Sequence, residues 1–240
     1  MGSEAKKVLG VLGGMGPLAT QLFYKMIIEK TDARCDQEHL DMMILSHATM
    51  PDRTRAIMEG RTEELFQLLL KDALTLEANG AGVIAIPCNT SHVLADRLQE
   101  EISVPIINMI RETAAHIAGF FPKKDVKIGI LATDGTINTG LYQKELQKAG
   151  LTPVVPGEQS QKLVMKLIYD GIKNGGEIDF ADFLTIQEEL RKEACDAAIL
   201  ACTELSCFKE QYKLPPYYID AMDILTVQSI LSCGGKIKEG

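Results

Sequence analysis

Ala85-Ile86-Pro87-Cys88-Asn89-Thr90 and Leu200-Ala201-Cys202-Thr203-Glu204 are two versions of one structural idea. Each closes an uncharged run, residues 82–86 and 197–201, and each places a cysteine at the end of that run. Short apolar runs bounded by turn residues read as strands buried on both faces. The small polar residues that follow each cysteine favour a helix start. A helix start carries partial positive charge, so a thiol delivered there is suited to act as a thiolate. Two such thiols in two halves of a chain fit one substrate gripped between them, with one acid/base on each face. That arrangement suits inversion of a carbon stereocentre. The competing reading is that each cysteine is a small hydrophobe at a strand end.

Outward from these segments, strand-like and helical stretches alternate. Strands are expected at 8–12, 42–45, 83–86 and 104–107, with helices at 17–30, 62–79 and 91–101. The pattern restarts with strands at 126–131, 153–155, 197–201 and 217–220, and helices at 139–149, 161–173, 180–193 and 224–232. Alternation of this kind argues for parallel sheets covered by helices. Sliding the chain on itself by 119 places Gly10, Leu12, Gly16, Thr20 and Leu22 on Gly129, Leu131, Gly135, Thr139 and Leu141. The expected fold is therefore α/β, with two pseudo-symmetric domains, each a small parallel sheet flanked by helices. The first domain would comprise 1–112 and a returning segment 215–240, the second 113–214. Loops after parallel strands form the ligand crevice, so the loops near 13–17, 88, 133–136 and 202 should converge between the halves.

Composition narrows the function. The 240 residues carry a formal net charge of −8 and are 46% hydrophobic, with no basic run. Nucleic acid and anionic membrane surfaces are poor partners for such a chain. No apolar run approaches the ~20 residues of a membrane helix. None of the six cysteines forms a C-x-x-C pair, and no histidine stands at a zinc-ligand spacing from them. Reduced thiols in a cytoplasm, with no metal, are expected; a Cys88–Cys202 disulfide under oxidation would block the chemistry.

Gly14-Met15-Gly16-Pro17-Leu18-Ala19 satisfies the G-x-G-x-x-A dinucleotide pattern. The acid that pattern needs after the next strand is missing, because the second strand ends near Ser46-His47. The loop reads better as a tight turn whose N–H groups can hold a carboxylate. Arg53 follows the second strand, where a guanidinium could meet a carboxylate in bidentate fashion or lie in solvent. Lys166 interrupts an apolar helix face, as a site cation or a snorkelling lysine would. Asn89, Thr90 and Thr203 could cap helices or bind a carboxylate, and Glu204 could tune Cys202 or serve as a first-turn acid. His92 falls on the helix after Cys88 and is expected to face solvent or neighbouring side chains. Cys35, Cys195, Cys207 and Cys233 lack the strand-to-helix context.

Taken together, Gly13-Gly14-Met15-Gly16-Pro17, Pro51-Asp52-Arg53-Thr54, Pro87-Cys88-Asn89-Thr90, Gly135-Thr136-Ile137-Asn138-Thr139-Gly140-Leu141-Tyr142 and Ala201-Cys202-Thr203-Glu204-Leu205 resemble the aspartate/glutamate racemase family over essentially the whole chain. The resemblance implies a homodimeric enzyme that needs no cofactor. By likeness, Cys88 and Cys202 are its acid/base pair. Met15 with its loop, Asn89, Thr90, Thr203 and Glu204 would hold the amino acid. Arg53 and Lys166 would form the basic pair for a side-chain carboxylate. The resemblance also implies that Cys202 deprotonates the L-isomer and Cys88 the D-isomer. Cell-wall glutamate racemases carry an acid in the first glycine loop and a histidine after the second Cys-Thr; here those places hold Gly13/Gly14 and Glu204, which points to the aspartate or broad-specificity branch.

The expected reaction is racemisation of aspartate or a related acidic or polar amino acid by two-base proton transfer. The alternatives are a one-cysteine isomerase or decarboxylase resembling maleate isomerase, and a non-catalytic amino-acid binder.

Overall fold

The run Val-Leu-Gly-Val-Leu-Gly has no charge to place in water, and the chain buries it on both sides as strand β1 (Val8–Gly13). The computed structural model describes residues 6–121 and 125–238; the outermost ends of the expected domains, 1–5 and 239–240, lie outside them. After β1 come α1 (Pro17–Lys30), β2 (Met42–Ser46), α2 (Arg53–Met58), α3 (Thr62–Ala78), β3 (Ala81–Ala85), α4 (Ala95–Glu101), β4 (Ile106–Ile107) and α5 (Met109–Phe120). The second half runs β5 (Lys127–Leu131), α6 (Asp134–Thr139), α7 (Leu141–Lys148), β6 (Thr152–Val154) and α8 (Glu158–Lys166), which passes into a π-helical stretch at Leu167–Lys173. It continues with α9 (Phe180–Lys192), β7 (Ala197–Leu200), α10 (Thr203–Tyr212), β8 (Tyr218–Asp220) and α11 (Ala221–Ser232).

Two four-stranded sheets result, ordered β2-β1-β3-β4 and β6-β5-β7-β8. All their pairings are parallel. The matching order is the pseudo-symmetry expected from the internal repeat. Gly10 and Gly129 show why glycine recurs at that place. A Cβ on Gly10 would lie 2.9 Å from Ala81 and 3.2 Å from Leu76; one on Gly129 would lie 2.7 Å from Leu190 and 3.3 Å from Ala198. In each half a covering helix presses a leucine onto the central strand.

One core lies between the sheets and joins Leu9, Val11 and Phe23 of the first half to Ile128, Ile130 and Tyr142 of the second. Two further cores fill the outer layers, under α3 and under α9. β8 pairs with β7, so the boundary expected at 215 falls before a strand that still belongs to the second sheet. The chain rejoins the first half only beyond β8. There α11 packs on α1 and α5, and the tail bonds to the first half through Lys7 N–H to Cys233, Asp32 N–H to Lys236 and Lys238 N–H to Lys30. We therefore propose that the chain changes domain at Asp220.

The glycine turn after β1 is closed by Thr20, whose Oγ1 accepts from Gly14 N–H at 2.8 Å and donates to the Gly16 carbonyl at 3.0 Å. Gly14 has φ +86°, and a Cβ there would sit 2.4 Å from His47 N. Gly14→Ala is expected to cost at least about 1–3 kcal/mol for the backbone conformation alone. For a chain of this size that is a fall in Tm of roughly 2–12 °C. An unchanged thermal melt would contradict this account of the turn.

Candidate active site

At the carboxyl ends of the strands a cavity of about 310 Å³ opens, at the small end of ligand pockets. Gly14 and Gly16 supply backbone to its wall. Ala48, Met50, Asp52 and Arg53 come from the segment after β2, Lys173 from the π-helical stretch and Glu204 from α10. Strand ends from both halves thus meet at one crevice.

Cys88 and Cys202 are buried one contact behind this lining, at 5% and 6% exposure. Their surroundings differ. Cys202 is the N-cap residue of α10, and its thiol donates to Glu204 Oε2 at 2.9 Å. Burial first, and the Glu204 carboxylate second, hold that thiol well above the ordinary cysteine range. Cys88 leads instead into a 3₁₀ turn, Thr90–Leu94. Its sulfur lies within hydrogen-bond reach of Ser91 Oγ, at 3.1 Å, and faces the Arg53 guanidinium. The helix-terminus argument for a depressed thiol pKa therefore fails at Cys202, where desolvation and a like charge win.

Arg53 is the first residue of α2, buried, with Nη1 donating to the Pro51 carbonyl at 3.1 Å. Burial opposes its charge, but Cys88, Asp52 and Glu204 around it raise its pKa. Asp52 caps α2 by accepting from Arg55 N–H at 2.9 Å. It also accepts from Tyr169 Oη at 3.0 Å and lies 3.5 Å from Lys173 Nζ. Burial would raise the Asp52 pKa, yet the Arg55 N–H, the Lys173 charge and the Tyr169 hydroxyl together hold it below the usual range. Lys173 stacks over the Tyr169 ring at 4.0 Å. Burial would lower its pKa, and Glu204, Cys202 and other neighbours outweigh that.

Lys166 is not brought to the site. It is half-exposed and paired with Asp182 at 2.8 Å. Lys166 and Lys173, seven residues apart, would share a face of an unbroken α-helix. The i→i+5 bonding of the intervening turn winds the chain more widely and sends them to different surroundings. Lys173 is the cavity's lysine, and the sequence reading missed it.

Met15 turns its side chain inward, where Sδ accepts from Ser91 Oγ at 3.3 Å; the flanking glycines line the cavity in its place. Asn89 and Thr203 are buried. No side chain caps the Thr90–Leu94 turn or α10, so the capping reading of Asn89 and Thr203 does not hold. Asn89 Oδ1 accepts from Tyr142 Oη at 2.6 Å across the two halves. Thr90 Oγ1 meets Thr136 Oγ1 at 2.9 Å and Thr133 Oγ1 at 3.1 Å. His92, expected on a solvent or packing face, is buried: Nδ1 lies 2.9 Å from the Cys88 carbonyl, and Met109 N–H donates to Nε2 at 3.1 Å. Burial lowers its pKa.

Three buried polar atoms of this region have no protein partner: Arg53 Nε, Asn89 Nδ2 and Glu204 Oε1. Buried groups of this kind carry a free-energy cost unless something pairs with them. Two donors and one acceptor match the carboxylate and ammonium of an α-amino acid. All six cysteines are free. Among the described residues, no group of three or more His, Cys, Asp or Glu side chains is placed to hold a metal ion, and no helix is long and apolar enough to cross a membrane.

Comparison with known proteins finds similar sequences and structures. The Asp/Glu/Hydantoin racemase family model matches residues 12–228. The broad specificity amino-acid racemase RacX of Bacillus subtilis is 31% identical over 229 residues, covering 93% of this chain and 96% of that protein. The aspartate racemase of Picrophilus torridus superposes with a TM-score of 0.80 at 29% identity, covering 97% of this chain and 96% of its own. An aspartate racemase homologue from Pyrococcus horikoshii superposes at 0.74 with 25% identity, covering 95% and 99%.

Proposed function

The chain belongs to the Asp/Glu/hydantoin racemase family, and from that premise we propose that it racemises aspartate or a related acidic or polar amino acid. The reaction needs no cofactor, and Cys88 and Cys202 exchange the α-proton from opposite faces. The observation that carries this reading is the set of unpaired buried atoms, Arg53 Nε, Asn89 Nδ2 and Glu204 Oε1, beside two cysteines from the two repeats. Arg53 and Asn89 would take carboxylate oxygens, Glu204 the ammonium, and Lys173 with Arg53 the side-chain carboxylate. Thr90 and Thr203 complete the wall, and the Met15 loop presents backbone N–H groups. Within this reading the enzyme is a cytoplasmic homodimer; the free thiols support the location.

The step balances simply. One cysteine, as thiolate, takes the α-proton and becomes a thiol, while the electron pair of the broken C–H bond passes into the α-carboxylate. The other thiol gives its proton to the opposite face and becomes a thiolate. The difficult species is the carbanion beside a carboxylate. Fixed charges in a closed site stabilise it without reorganisation. The test is incubation of single enantiomers of aspartate, glutamate and homoserine in D2O, followed by NMR and chiral chromatography. Loss of optical purity with one deuterium entering Cα per inversion is expected. No exchange with any of the three overturns the reading.

Glu204 should set the pH dependence of the Cys202 direction. Its charge opposes the Cys202 thiolate. Removing that charge by Glu204→Gln should let Cys202 deprotonate at lower pH. The ascending limb of kcat for the isomer deprotonated by Cys202, the L-isomer in this reading, should then move to lower pH. A limb that stays in place would show that Glu204 does not govern this thiol.

A further inference from the structure

We infer that His92 is the positioning residue of the Cys88 turn: its imidazole Nδ1–H holds the Cys88 carbonyl and so fixes the direction of the sulfur, while the first N–H of α5, donated to Nε2, sets the tautomer. The inference rests on the reading of Cys88 as an acid/base. His92 is 4% exposed, is not part of the cavity lining, and meets the backbone of Cys88, Met109 and Ile107. Met109 N–H can only donate, so Nε2, 3.1 Å away, presents a lone pair. A neutral imidazole with a lone pair on Nε2 carries its hydrogen on Nδ1, which therefore donates to the Cys88 carbonyl at 2.9 Å.

Both backbone groups depend on this ring. The N–H groups of a helix's first turn have no partner within the helix. The Asn108 side chain satisfies the one at Arg111, and His92 satisfies the one at Met109. The Cys88 N–H is fixed separately, donating to Ile86 at 2.7 Å. With both ends of the residue held, the sulfur can change place only by turning about its own side-chain bond, and Ser91 Oγ restrains that turn. The charges nearest the ring, Asp96 and Arg111, are paired with each other at 2.6 Å.

Two conservative variants separate the two bonds. His92→Asn puts an amide N–H where Nδ1 stands, keeping the Cys88 link and losing the Met109 link. His92→Gln reaches the Nε2 position with its carbonyl, keeping Met109 and losing Cys88. A misplacement of about 1 Å can cost on the order of 100-fold. His92→Gln is therefore expected to lose kcat on that scale with KM nearly unchanged, while His92→Asn stays close to the parent enzyme. The relative iodoacetamide labelling of Cys88 and Cys202, read by peptide mass spectrometry, should change in His92→Gln and hold in His92→Asn. Equal losses of kcat in the two variants, or an unchanged labelling ratio in His92→Gln, overturn the inference. An unaltered protein that racemises nothing would sink the racemase reading, and the labelling ratio would still decide the role of His92. If neither variant folds, imidazole 15N NMR of the unaltered protein decides. A fixed Nδ1–H tautomer between about pH 5 and 8 supports the clamp; an Nε2–H tautomer, or titration in that range, overturns it.

Discussion

Serine in place of either Cys88 or Cys202 is expected to slow racemisation by about 10²–10⁴-fold, the usual worth of a positioned acid or base. A hydroxyl fills nearly the same space, so both variants should fold: each sulfur is buried at the edge of an outer core and makes one side-chain hydrogen bond that an oxygen can also make. The loss comes from acidity, since an alcohol neither gives up its proton near neutral pH nor holds one at the right strength. Both variants must fail, because inversion takes a proton from one face and returns one to the other. Full turnover in Cys202→Ser would instead indicate a one-cysteine isomerase or decarboxylase. A chain that is stabilised by aspartate in a thermal-shift assay, yet brings no deuterium into Cα, would be a binder.

Lys173→Met is expected to lower kcat/KM for aspartate and glutamate by about 10²–10³-fold, the effect of removing one preorganised charge from such a site. Lys166→Met should leave it near the parent value. Lys173 is enclosed by Glu204, Cys202, Tyr169 and Asp52, whereas Lys166 answers only to acids on the outer face, chiefly Asp182. The fold should survive the loss, because Asp52 keeps the Arg55 N–H and the Tyr169 hydroxyl. Steady-state kinetics with aspartate and an uncharged amino acid in parallel would check the assignment. The loss should be concentrated in the charged substrates, and an equal loss in both lysine variants would refute it.

These expectations show where a sequence can be read locally and where it cannot. The strands of both sheets were visible because buried parallel strands are short uncharged runs, as in 8–12 and 197–201. The Pro17–Lys30 helix is delimited by a proline at its start. Edges were harder to place. β4 is only Ile106–Ile107, shorter than the apolar run that contains it, and the short helices α2 and α6 are too brief for a periodicity to emerge. The two cysteine turns, the glycine loop and Arg53 could be named from type and position, since strand ends deliver them. Lys173 could not be, because an α-helical period places it with Lys166 until the π-helical turn separates them. Tyr142 and Tyr169 act through partners 53 and 117 residues away, and the second partner of His92 lies 17 residues away; no local pattern reports such pairings. An apolar neighbourhood around His92, with Val93 and Leu94 after it, was the one available hint of its burial.

The unlike neighbours of the two sulfurs have a consequence for the overall balance of the reaction. Mirror-image amino acids have equal free energy in water, so their interconversion has an equilibrium constant of one. Thermodynamics then demands the same kcat/KM for both hands, however the protein is built. The carboxylate at one sulfur, and the hydroxyl with a guanidinium at the other, break the mirror within the enzyme itself. That inequality is confined to kcat and KM separately, which must differ by a common factor: the hand with the lower KM is also the one turned over more slowly at saturation.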